Sequence, residues 1–143
     1  MHMESCEFCR IVRGQQAARV VFETTETMAF FPLAPAIIGH TLVIPKTHKI
    51  SIWSLTDPEA CRLLTSALSV ARGIQRALQP DGLNIINSNG SAASQSVAHM
   101  HIHLVPRWHD DSFGAIWPHS EPIARDIKDN AAHLIRQACQ RQV

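Results

Sequence analysis

Tyrosine is missing from all 143 residues, and the chain also lacks several features that commonly declare a function. Excess charge is one of them: Lys+Arg 13 against Asp+Glu 12 leave a formal net charge of +1. So weak a field does not gather nucleic acid or an anionic membrane, so any phosphate contact has to be local. No apolar run is long enough to span a bilayer, and the opening residues MHMESCEFCR lack the apolar stretch of a secretory signal. The expectation is a cytoplasmic protein without membrane or nucleic-acid partners. Repeats and low-complexity tracts are absent too. What remains, 45% hydrophobic and 17% charged residues, fits a single domain spanning 1–143 with a sizeable core.

Histidine is what the chain has instead. Of nine histidines, three fall within five residues, at His99, His101 and His103. Four cysteines accompany them. Cys6 and Cys9 have the two-residue gap that lets two thiolates share one metal, which is half a site by itself and otherwise a free dithiol. Cys61 and Cys139 lie in helical patterns, where a lone cysteine behaves as a small hydrophobe.

The order of elements reads as strands, helix, strands, helix. Residues 19–31 form two β-prone runs about a polar turn, and His40 to Pro45 is a β-branched run closed by proline. Thr56-Asp57-Pro58-Glu59 offers a capping box with proline in the first turn. Ala60, Leu63, Leu64, Ala67, Leu68, Ala71, Ile74 and Leu78 follow it at helical spacing. Pro80-Asp81-Gly82 stops that helix, and Leu83 to Ser88 and Val97 to Arg107 read as two more strands. A last helix covers about 120–140. The expected fold is α+β, an antiparallel five-stranded sheet flanked by helices.

On an extended strand the three histidines at i, i+2 and i+4 project from one face, while Met100, Ile102 and Leu104 project from the other. The outer two imidazoles then stand roughly 13 Å apart, too far for one metal to take all three, so their jobs must differ. The loop before them, Gly90 to Ser96, is small and polar and lets backbone N–H groups approach an anion. A neutral imidazole beside a bound phosphate can attack phosphorus while a second one donates to the developing charge. His40 reads equally well as a satisfied histidine at a strand start or as part of this chemistry. His2, His109, His119 and His133 read as surface residues.

His99-Met100-His101-Ile102-His103-Leu104-Val105 resembles the signature of the histidine triad (HIT) family, three histidines separated by apolar residues. Gly39-His40-Thr41-Leu42-Val43-Ile44-Pro45-Lys46-Thr47-His48 is similar to a second stretch of that family, and Gln95-Ser96-Val97 to a third. The resemblance runs from Cys6 to Arg107 and is greatest to the Hint branch with a zinc site. It implies a homodimer acting on a nucleotide at the α-phosphate through a covalent nucleotidyl-histidine. The implied activity is that of a purine nucleoside phosphoramidase, with a dinucleoside polyphosphate hydrolase as the neighbouring alternative and a nucleotide-binding regulatory partner as a third.

By the same resemblance His101 is the nucleophile, His103 binds the phosphate, and His40 supports the nucleophile. Ser88, Asn89, Ser94, Gln95 and Ser96 form the substrate loop. Cys6, Cys9, His48 and His99 hold one structural zinc, which ties the N-terminal segment, about 1–12, to the triad. Three positions depart from the family's pattern. Pro32 stands where an acidic or amide residue receives the ribose, Ser88 stands where an asparagine sits two before the loop glycine, and Ser94 stands where a glycine precedes the glutamine.

Overall fold

The computed structural model describes residues 5–140. Residues 5–113 form one compact unit and the chain from Gly114 onward another. In the first, helix α1 (Glu7–Val12) precedes strands β1 (Arg19–Glu23), β2 (Thr27–Phe31) and β3 (Thr41–Pro45). Helix α2 (Asp57–Leu78) and strands β4 (Gly82–Ile86) and β5 (Ile102–Arg107) follow. The strands make one antiparallel sheet in the order β1-β2-β3-β5-β4. This is the expected α+β architecture, with the strand that ends the triad beside β3 near the sheet's centre.

The two faces of the sheet are covered differently. Helix α2 buries Leu63, Ala67, Val70 and Ile74 against Ala29, Val43, Met100, Ile102 and Leu104. Its start is fixed by the predicted capping box: Thr56 N–H donates to Glu59 Oε2 at 2.8 Å, and Thr56 Oγ1 accepts from Glu59 N–H. Gln79 in the left-handed region ends it before Pro80. The predicted apolar stripe is wider than the buried one, because Leu64 and Leu68 lie about a sixth of a turn or more beyond the line 63, 67, 70, 74 and stay exposed. On the opposite face α1 sets Cys6, Phe8, Cys9 and Ile11 against Met28, Phe30, Leu42 and Ile44.

The triad strand is shorter than its alternation predicts. Pairing begins only at Ile102, so Val97 to His101 are not in the ladder. The cause lies in the partners: β4 ends at Ile86, and the side chain of Asn87 takes the next carbonyl, donating from Nδ2 to His101 O at 2.8 Å. Met100 N–H turns instead to Lys49 O. The alternation of faces survives, since Met100, Ile102 and Leu104 all sit in the α2-side core.

In the second unit, helix α3 (Arg125–Gln140) begins later than the predicted residue 120, and its residues are exposed. Cys61 and Cys139 are exposed as well, not small buried hydrophobes. His109, His119 and His133 are surface residues as expected, and His2 lies outside the described residues.

Candidate functional site

His101 and His40 are each held through one ring nitrogen by a backbone group whose role is fixed, which sets what their other nitrogens can do. His101 is 2% exposed, and its Nδ1 lies 2.7 Å from His99 O. A carbonyl only accepts, so Nδ1 carries the proton and Nε2 is left with a free lone pair. His40 Nδ1 lies 3.0 Å from Ala36 N–H, which only donates, so the His40 proton sits on Nε2. That Nε2 reaches His103 Nδ1 at 2.9 Å, and the proton of a neutral His103 is thereby placed on Nε2. One ring therefore offers a lone pair and its neighbour an N–H, with centroids 4.8 Å apart.

The surroundings keep these rings neutral. Burial lowers the proton affinity of His101, against the opposing pull of its bond to His99 O. His103 is driven down to about 4, first by burial and then by the nearby His101 and His40. His40 is lowered by burial and by His101. Neutral imidazoles at physiological pH are what a nitrogen nucleophile requires.

His40, His101 and His103 line a cavity of about 310 Å³ together with Phe8, Ile11 and Pro32. A larger cavity of about 530 Å³ lies between β1 and the end of α2; its only titratable lining residue is Arg76, so it lacks the groups for chemistry. Of the loop residues only Ser96 lines the histidine cavity. Gln95 is used internally: Nε2 donates to Ile50 O (2.7 Å) and Val97 O (3.0 Å), and Oε1 accepts from Gly90 N–H (2.7 Å). Asn89 accepts from Ile52 N–H at 2.7 Å and reaches Asn87. Ser88 and Ser94 do not line the cavity, and Ser94 adopts a left-handed conformation at φ 63. His40 bonds to His103, not to His101.

Phe8, Ile11 and Asn87 escape a reading of the sequence. Phe8 and Ile11 gave a signal as the apolar residues flanking Cys9, whereas Asn87 gave none beyond its place at a strand end.

Beside this pocket four further side chains converge. One ligand atom from each of Cys6, Cys9, His48 and His99 lies within 4.8 Å of the others. Cys6 Sγ and Cys9 Sγ stand 3.5 and 3.6 Å from His99 Nδ1, and His48 Nδ1 stands 3.3 Å from Cys9 Sγ. Those lengths match the roughly 3.3–3.8 Å edges of a tetrahedron built on metal–sulfur and metal–nitrogen bonds. The tautomer agrees: His99 Nε2 donates to Pro45 O at 2.8 Å, so the Nδ1 lone pair faces the thiols. Burial, with Cys6 adding to it, pushes the Cys9 thiol up to about 11, a cost a bound cation would reverse. The cluster could hold a metal ion.

Residues 13–110 match the family model described as the HIT domain. "Protein hit" of Bacillus subtilis is 41% identical over 115 residues, 80% of this chain and 79% of the relative. The adenosine 5'-monophosphoramidase of Schizosaccharomyces pombe is 36% identical over 121 residues, 84% and 87% of the two chains. Among solved structures, a HIT family protein from Bacillus anthracis superposes with TM-score 0.85 at 36% identity, covering 94% of this chain and 97% of that one. A Zn-bound histidine triad family protein from Mycobacterium smegmatis does so with TM-score 0.74 at 32% identity, over 84% and 86%. The match of sequence, sheet topology and triad together means that this chain belongs to the HIT family.

Proposed function

We propose that the protein hydrolyses nucleoside phosphoramidates at the α-phosphate, with a purine nucleoside as the preferred carrier. The observation that carries the reading is the pair of fixed tautomers: a lone pair at His101 Nε2 next to an N–H at His103 Nε2. His101 Nε2 attacks phosphorus, the P–N bond breaks, and the departing amine takes a proton from solvent. Water then adds its hydroxyl to phosphorus, the bond to His101 Nε2 breaks, and the remaining proton of that water returns to solvent, leaving His101 neutral with its proton on Nδ1. His103, kept in register by His40, donates to the phosphate oxygens. Ser96 at the cavity wall supplies a further phosphate contact, while Ser88, Asn89, Ser94 and Gln95 shape the loop. The apolar wall of Phe8 and Ile11 suits a flat base. The named activity of the fission-yeast relative agrees with this.

Zinc is the metal we assign to Cys6, Cys9, His48 and His99, in a closed site of two thiolates and two imidazoles that supplies structural clamping and no open coordination position. The reduced thiols suit a cytoplasmic setting. A homodimer is supported by the edge position of β4 in the sheet, by the exposed Ile85 on that strand and by the exposed Leu64 and Leu68 of α2.

A dinucleoside polyphosphate hydrolase would use the same two histidines. The second reading that an observation favours is a nucleotide-binding partner with little turnover: Pro32, in the cavity wall, gives the ribose no side-chain acceptor. Mass spectrometry of the protein quenched during turnover of an adenosine phosphoramidate and a diadenosine polyphosphate separates the three. An adenylate adduct on His101, faster from the phosphoramidate, supports the proposal. The reverse order favours the polyphosphate hydrolase, and no adduct from either substrate favours the binding partner.

A further inference from the structure

Helix α1 is six residues long, and its N-cap, Cys6, makes no side-chain capping bond. A helix so short does not persist by itself, so α1 keeps its shape through what its side chains touch. Cys6 and Cys9 turn toward His48 and His99, while Phe8 turns into the cavity that holds the triad. Phe8 is thus placed between two metal ligands in sequence and against the reacting ring in space. Its ring meets His101 edge-on at 5.4 Å and 89°, and meets His99 at 5.7 Å and 65°. Phe30 backs it from the other side at 5.3 Å and 75°.

Beside its contact with His103, the imidazole of His101 has two constraints on the side of the metal cluster. The bond from Nδ1 to His99 O fixes one edge, and the perpendicular Phe8 ring limits rotation about the side-chain axis. Both lead back to the metal cluster, one through the backbone of the ligand His99 and one through the residue between Cys6 and Cys9. We infer that Phe8 is a positioning residue for His101, and that metal at Cys6 and Cys9 sets the aim of the nucleophile through it. This rests on the zinc and nucleophile readings above. Loss of the metal releases α1, Phe8 loosens, and Nε2 wanders from the line of attack. A misplacement on the order of 1 Å costs about a hundredfold in rate.

The test compares the full-length parent and Phe8→Leu, each zinc-loaded and chelated. Three readouts come from the same samples: zinc content, the ring-nitrogen NMR signals of His101, and the single-turnover rate of adduct formation on His101. In the parent, chelation is expected to shift the His101 signals and slow adduct formation ten- to hundredfold. Phe8→Leu should keep one zinc per chain yet start near the stripped parent in both other readouts, with chelation moving them little further. Additive effects of the two changes, or His101 signals indifferent to zinc in the parent, overturn the inference.

Should the stripped protein unfold, the zinc-loaded parent and Phe8→Leu decide by the ring-nitrogen signals of His101 without substrate: signals moved from the parental positions support the inference, and signals at the parental positions overturn it. A parent without zinc defeats the metal reading and this inference with it. A parent without an adduct on His101 defeats the nucleophile reading in the same way. Zinc and adduct both present, with His101 unmoved by chelation, defeats the inference alone.

Discussion

His40 and His103 are joined ring to ring, 2.9 Å apart between His40 Nε2 and His103 Nδ1, and Ala36 N–H behind His40 decides which of them owns the proton. A main-chain amide in the loop before β3 therefore determines which nitrogen of His103 carries the proton. The route crosses from β3 to β5, neighbours in the sheet with Leu42 opposite His103. A ring at the strand start and a ring inside the next strand can meet only because that register aligns them.

Replacing His40 with leucine removes this determination while leaving the bond of His101 to His99 O intact. The expected outcome is a fall in kcat of roughly a hundredfold for phosphoramidate hydrolysis, the scale of losing one aligned donor to a developing oxyanion. KM should change by far less. His101→Ala is expected to abolish adduct formation and cost on the order of ten-thousandfold or more. Steady-state kinetics and intact-mass measurements check both, and a His40→Leu enzyme with parental kcat would remove His40 from the relay.

Stability should decline on the acid side, and the direction follows from His103. Its proton affinity in the fold is lowered from the ordinary 6.5 to about 4. As pH falls through 6.5 the unfolded chain takes up a proton that the folded chain refuses, so unfolding becomes easier. The loss continues to about 4, where the folded form is protonated as well, and then this group contributes no further change. Above 6.5 its contribution is flat. His40 acts in the same direction. Urea midpoints measured across this range should fall toward acid, and His103→Asn should flatten the slope; an equal slope would assign the effect to other groups.

How much of this was legible in the residues depends on how local each feature is. The capping box at Thr56, the stop at Pro80 to Gly82 and the two-faced alternation of Met100 to Leu104 are set by neighbours in sequence, and all three stand in the structure. The four candidate metal ligands follow from a resemblance, and the fold brings them within reach of one another. What could not be read was where strand pairing stops, because β5 is shortened by Asn87, fourteen residues before the carbonyl it occupies. Nor could spacing alone say that His40 meets His103, or that Gln95 would spend its amide on Ile50, forty-five residues earlier in the chain. Those facts depend on pairs of segments packing in one register.

Ser94 carries a strain that a single substitution relieves. Its φ of 63 lies in the left-handed region, where a side chain costs about 1–2 kcal/mol and glycine costs nearly nothing. Glycine also gives the unfolded chain more freedom, which offsets part of the gain. Ser94→Gly is expected to stabilise the protein by about 0.5–1 kcal/mol, read as a rise of a few degrees in Tm. A lower Tm would mean that the serine hydroxyl holds the loop more firmly than its backbone resists it.

Gly39 marks the opposite case, because there the backbone demands glycine twice over. Its φ is +79, and a Cβ added to it would meet Leu78 Cδ1. Gly39→Ala therefore combines strain with a clash against the end of α2, next to His40. A loss of about 2–3 kcal/mol is expected, with KM and kcat both worsened because His40 is its neighbour. Denaturant titration alongside kinetics tests this; an alanine variant of parental stability would show that Leu78 gives way freely.

Removing the metal should affect the half of the molecule around α1 first. The four candidate ligands come from the N-terminal segment, the exit of β3 and the start of the triad, so one ion bound there would tie three separate stretches of chain. Such sites contribute apparent free energies on the order of 10 kcal/mol in small domains, part of which folding retains as stability. Protein purified without chelator is expected to hold one zinc per chain. Stripping it should lower Tm by roughly 10 °C or more. Cys6→Ser, Cys9→Ser and His48→Asn should each reduce zinc content, whereas Cys61→Ser should not, since Cys61 is exposed on α2 and outside the cluster. Hydrogen exchange then locates the damage: amides of α1 and of the segment from Val97 to His101 should lose protection, while those of α2 keep it. Uniform loss across both faces of the sheet would mean that the metal supports the whole domain and not the wall of the histidine pocket in particular.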